Sequence, residues 1–286
     1  LTPTNVAAKR STSYGSADIQ ASRAGKACIY VQRAGQKLKE LAYVYESDGF
    51  KSPDLTTLSE HILTDGNGIV EFDYQQEPYS IIWCVRNDGQ LAALTYEREQ
   101  DVIGWHRHII GGTFGAGDAV VESIGVIPSV SGNVEDVWLI VKRTIDGRTV
   151  RYVEYINDPF AGTTATGSFF VDCGLTYSGS ATSTVSGLDH LEGETVSVLA
   201  DGSTHPNVVV TDGAITLTRT ASTIHIGFNY NSSLKTLNIE AGAQDGTAQA
   251  KTKRIHRVAL RFYRTLGVQF GNNEGELDTL PFRTSA

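Results

Sequence analysis

The feature that most constrains the fold is a recurring pattern of apolar run, turn residues and second apolar run. Ala27-Cys-Ile-Tyr-Val-Gln-Arg leads to Gly35, Ile81-Ile-Trp-Cys-Val-Arg leads to Asn87-Asp-Gly, and Val137-Trp-Leu-Ile-Val-Lys-Arg leads toward Asp146-Gly. Asp-Gly tolerates the positive φ that a tight hairpin demands, and β-branched and aromatic flanks favour pleated strands. Each unit therefore reads as strand, turn, strand. Tyr30, Trp83 and Trp138, the positions that align best, lie 53 and 55 residues apart, a spacing typical of propeller-blade repeats.

The third unit continues through Thr149-Val-Arg-Tyr-Val-Glu-Tyr, where Val150, Tyr152 and Glu154 share one face and Arg151, Val153 and Tyr155 the other. Neither face is purely apolar, as expected of a sheet with partners on both sides. Ala119 to Ile127 reads as a preceding strand that completes a meander. Asp54 to Leu63 predicts one short helix, with Ser52-Pro53-Asp54 as the start and Leu55, Leu58, His61 and Ile62 at helical spacing. Residues 161–186 are rich in Gly, Thr and Ser around the apolar island Phe169-Phe170-Val171, which predicts a boundary. Beyond Gly187, short strands at Thr195-Val-Ser-Val-Leu, Asn207-Val-Val-Val, Ala214-Ile-Thr-Leu-Thr and Thr223-Ile-His-Ile-Gly-Phe suggest a small β-barrel or sandwich. In the closing segment from Lys251, Val258, Leu260 and Phe262 alternate with Arg257, Arg261 and Tyr263, a strand pattern that could rejoin the first domain. The expected organisation is thus mainly β: propeller-like blades over 1–165, a small inserted β-barrel or sandwich over 166–250, and a returning strand over 251–286.

With 29 Gly and 12 Tyr among 286 residues, composition agrees with strands joined by tight turns. The net charge of −8 opposes a sequence-reading nucleic-acid binder. Cys28, Cys84 and Cys173 are odd in number and far apart, which argues against a disulfide scaffold or zinc site and predicts buried free thiols. No apolar run is long enough for a transmembrane helix, and the start lacks the apolar core of a signal peptide, so a soluble protein without a membrane anchor is expected. The absence of Met predicts that the initiator lies upstream, in a longer polypeptide.

Three segments together carry a family resemblance: Gln75-Gln-Glu-Pro-Tyr-Ser-Ile-Ile-Trp-Cys-Val-Arg with Leu94-Thr-Tyr-Glu-Arg-Glu-Gln and Gly104-Trp-His-Arg-His; Glu135-Asp-Val-Trp-Leu-Ile-Val-Lys-Arg with Arg151-Tyr-Val-Glu; and Gly187-Leu-Asp-His-Leu-Glu-Gly-Glu-Thr-Val-Ser-Val-Leu-Ala-Asp-Gly. They resemble tail hub or nozzle proteins of short-tailed bacteriophages and prophages, over most of residues 70–283. The third segment is also similar to a β module named after the first catalytic-cysteine half-domain of ubiquitin-activating enzymes. The resemblance implies a propeller-like domain with an inserted β-barrel, in a ring of identical subunits, six in the full-length protein, around a DNA-ejection conduit. It implies contacts with the portal or adaptor and other tail proteins, and location in the virion tail after assembly in the bacterial cytoplasm. Genomic DNA would pass without sequence-specific binding.

Against that structural role stand several chemical readings. Cys173 has no activating basic partner in sequence, so thioester chemistry is not expected. His106 and His108 fall on one strand face, a spacing that can serve a metal, but no third ligand is evident. The carboxylates of Glu97-Arg-Glu-Gln-Asp101 and Asp189-His-Leu-Glu-Gly-Glu194 raise a polysaccharide hydrolase, yet neither Asp-box motifs nor a nucleophile elbow beside Ser186 and Asp189-His190 appears. Gly111-Gly-Thr-Phe-Gly-Ala-Gly lacks the lysine of a phosphate loop and reads as a flexible connection. A glycan- or receptor-binding module, with Tyr79, Trp105 or Tyr230 stacked on sugars, is the alternative to the structural role. No enzyme, catalytic residue, cofactor or metal is expected. Lys251 to Arg264 holds seven basic or histidine residues in fourteen; Lys251, Lys253, Arg254, Arg257, Arg261 and Arg264 form a candidate face that could touch DNA phosphates, with a solvated or inter-subunit face toward acidic neighbours the favoured reading.

Overall fold

A computed structural model describes residues 10, 12–157, 162–238, 240, 246–247, 251–262, 265 and 267–280. The chain divides into two compact units, residues 1–232 and 233–286. In the first unit, three up-and-down antiparallel sheets follow one another. The first comprises β1 (Ser22–Ala24), β2 (Ala27–Val31), β3 (Leu38–Val44) and β4 (Gly49–Lys51); the helix α1 (Glu60–Thr64) follows. The second comprises β5 (Ile69–Gln75), β6 (Ile81–Arg86), β7 (Leu91–Glu97) and β8 (Val102–His108). A ribbon of β9 (Thr113–Phe114) and β10 (Gly117–Asp118) leads into the third, β11 (Val120–Pro128), β12 (Glu135–Ile145) and β13 (Arg148–Ile156). Tyr30, Trp83 and Trp138 each occupy the second strand of one meander, so the spacing marks a real structural repeat.

The second sheet is buried on both faces. Ile82, Cys84, Ala92 and Leu94 pack with Ile29, Leu38 and Leu63 on one side. Trp83, Val85, Leu91 and Ala93 pack with Val121, Val137, Leu139 and Val141 on the other. Two-sided burial explains why β6 reads as an unbroken apolar run instead of an alternation. A fourth sheet combines β14 (Asp172–Ser186), β15 (Thr195–Ala200), β16 (Ser203–Val209) and β17 (Ala214–Phe228) in the order β14-β17-β15-β16. Its separate core gathers Leu188, Leu191, Val196, Ile215, Ile224 and Ile226, with Ile145 reaching in from the end of β12. In the second unit, β18 (Val268–Asn273) pairs with β19 (Glu276–Leu280).

The chain is thus mainly β, built of several small antiparallel sheets. Neither a closed ring of blades nor a closed barrel forms among the described residues. In the fourth sheet the edge strands β14 and β16 do not pair, and β16 meets the start of β17 through a side chain instead of a ladder. His205 Nε2 accepts the Thr218 N–H at 3.0 Å, and its Nδ1–H donates to Pro206 O at 2.7 Å.

Other local expectations change. The expected helix over 54–63 shrinks to five residues, because Asp54 is bridged to Lys39 and its carboxylate accepts the Thr56 N–H, a turn that spends the start signal early. Leu58 and His61 are exposed while Ile62 and Leu63 are buried. Much of the Ser/Thr/Gly-rich stretch before residue 186 is the 15-residue strand β14, whose Thr-rich, largely exposed surface suits a strand as well as a loop. Cys84 is buried as expected, but Cys28 points to solvent from the exposed position of β2. The described residues 251–262 form no strand and are exposed, Val258, Leu260 and Phe262 included, so alternation alone did not produce a strand.

Candidate functional site

The Gly111-Gly112 loop after β8 is a packed joint. Gly111 N–H donates to Asp172 Oδ2 at 2.7 Å, while Gly111 O accepts Arg143 Nε–H at 2.8 Å. Arg143 is fully buried and its remaining N–H groups grip the Glu154 carboxylate across the β12–β13 pair. The loop thereby ties the third sheet to β14, and the expectation of a flexible connection fails because a β-carbon on Gly111 would lie 2.8 Å from Phe228 Cβ. Burial raises the Asp172 carboxyl above its ordinary range, opposed by Gly111 N–H and Arg143. Burial, reinforced by Glu154, pushes the Cys173 thiol up to about 12. A thiol so disfavoured as thiolate is a poor nucleophile.

The neighbouring histidine offers no triad. His190 Nε2–H donates to the Cys173 carbonyl at 3.2 Å, and no hydrogen bond joins it to Ser186 or Asp189. Asp189 instead lines a cavity of about 430 Å³ with Asp146, Glu192 and Asp212. Glu192 is committed to the N–H groups of Asp212 and Gly213.

On β8, His106 Nδ1 and His108 Nε2 stand 2.8 Å apart, and the rings meet edge-on beside Trp83. Burial lowers both imidazoles, His108 to about 4 with His106 contributing. No group of three metal-ligating side chains occurs among the described residues. Trp105, on the opposite face, packs against the first core and donates its indole N–H to Leu55 O at 2.8 Å, whereas Tyr79 and Tyr230 are exposed.

No protein-family model matches this sequence, and no curated protein matches it.

The broadest candidate interaction surface is the outer face of the third sheet. Trp138 pairs with Tyr155 and Ile140 with Val153 across the β12–β13 ladder, and Ile127 continues the face on β11. Val153 is 69% exposed and Tyr155 55% exposed, so no partner covers this face among the described residues. Beside it, Glu122 links Arg151 and Lys142, whose hydrogen bonds hold its carboxyl down at about 2. Beyond β12, β13 has no second ladder partner among the described residues. This surface could not be singled out from sequence, since its apolar residues look like any half-buried strand. Of the expected basic face, Lys251, Lys253, Arg254, Arg257 and Arg261 are exposed in the second unit, and Arg264 lies outside the described residues.

Proposed function

We propose that this chain is a non-enzymatic structural segment of a tail hub or nozzle of a short-tailed bacteriophage or prophage. The observation that carries the reading is the exposed apolar face formed by Ile127, Ile140, Val153 and Tyr155, because exposed patches of this kind mark protein contacts. The sequence resemblance supplies the identity of the assembly. In this reading the successive meanders act as blades of a propeller completed with other parts of the assembly, and the fourth sheet is the inserted barrel-like module. Six copies surround the conduit, join the portal or adaptor and other tail proteins, and present an overall negative chain to DNA passing without sequence-specific contacts. Its place is the virion tail, after assembly in the host cytoplasm.

Electron microscopy of the protein at its full natural length tests this directly. Rings that dock onto a portal–adaptor complex are expected; a monomer that instead binds host glycan in an array would sink the proposal. The exposed Tyr79 and Tyr230 favour glycan binding as the second reading.

A further inference from the structure

His106 and His108 differ from the chain's other histidines in what their nitrogens face. His205 and His225 have both ring nitrogens engaged by hydroxyl, amide or carbonyl groups. His190 donates to a carbonyl, while His61 and His256 are exposed. Only in the β8 pair do two imidazole nitrogens oppose each other, at 2.8 Å, because residues two apart on a strand project from the same face. Each ring is hydrogen-bonded to the other.

Two imidazoles on one strand face can act as a chelate, and among first-row divalent ions nitrogen donors bind copper(II) most tightly. We propose that His106 Nδ1 and His108 Nε2 chelate a late first-row divalent ion of tetragonal geometry, copper(II) ahead of nickel(II), with water in the remaining positions. Rotation of the rings turns both lone pairs from each other toward a common point. The ring that donates in the pair loses its proton to solvent at the liganding nitrogen and gains one at its other nitrogen. Both imidazoles stay neutral and no net proton is released. Zinc, which favours tetrahedral sites, binds more weakly here. The site stands independently of the tail assignment.

Trp83 reports on it. Its ring centroid lies 5.1 Å from that of His108 and 6.4 Å from that of His106, and its indole N–H is anchored to Gln75 Oε1 at 3.0 Å. Copper(II) chloride titrated into the purified protein at pH 7, in a weakly coordinating buffer, is expected to quench this indole at one equivalent. The copper spectrum in electron paramagnetic resonance should show nitrogen donors. His106→Gln and His108→Gln should each weaken binding by about tenfold or more, while Trp83→Phe should keep the affinity and lose most of the quenching. Unchanged affinity in both histidine variants, or an oxygen-only copper spectrum of the unmodified protein, would overturn the site; the spectrum needs no variant to fold.

Discussion

Gly111 shows how one residue can join two sheets. An added methyl group would meet Phe228 Cβ at 2.8 Å and Asp172 Cβ at 3.1 Å, so Gly111→Ala must push apart the groups that its own backbone holds together. A loss of about 1–3 kcal/mol is expected in urea unfolding, as for other overpacked sites. Gly125→Ala is the matched control: a β-carbon there meets nothing within 4 Å, and a change within about 0.5 kcal/mol is expected. Asp172 contributes a pH dependence of known sign. Its folded pKa is raised, so the folded state holds a proton that the unfolded chain, with an ordinary value of about 3.9, has released. Its stabilising contribution is therefore fullest below that value and is lost as pH rises through the folded pKa. Unfolding midpoints of the unmodified protein and Asp172→Asn, compared at several pH values, should show the unmodified protein losing ground from about pH 4 upward. A constant difference would contradict the burial of this carboxyl.

At the scale of elements, tight turns are the most legible feature. Asp146-Gly147, Asp201-Gly202 and Asp212-Gly213 all combine two successive positive φ values. Ile145 pairs directly with Arg148, and Ala200 with Ser203, as a two-residue hairpin loop requires. Because Gly147 sits at φ 70 with open space around it, Gly147→Val tests conformation without packing; a cost of about 1–2 kcal/mol in thermal or urea unfolding is expected. The helix near Leu55 was less legible for the opposite reason. Asp54 carries a helix-start signal, yet it pairs with Lys37 at 3.0 Å and bridges to Lys39, partners 17 and 15 residues earlier that no local pattern announces. The strand β14 was hidden likewise, since Thr, Ser and Gly serve exposed strands and loops alike.

For the molecule as a whole, the exposed face of the third sheet is the feature to test. Val153→Lys should leave the unfolding midpoint nearly unchanged, since Val153 is 69% exposed, while reducing ring formation by the full-length protein in electron microscopy. Intact rings with that variant would remove this face from the proposed assembly. Sequence by itself determined the mainly β class, the hairpins and the repeat of meanders, because turn dipeptides and β-rich flanks act over a few residues. It also placed His106 and His108 on one face, since strand periodicity is local. Only tertiary structure decided that Gly111 is a joint, that Arg143 is buried against Glu154, and that Val153 and Tyr155 are left exposed. Those outcomes depend on which surfaces meet across long stretches of chain, and an apolar strand residue carries the same local signal whether or not another sheet covers it.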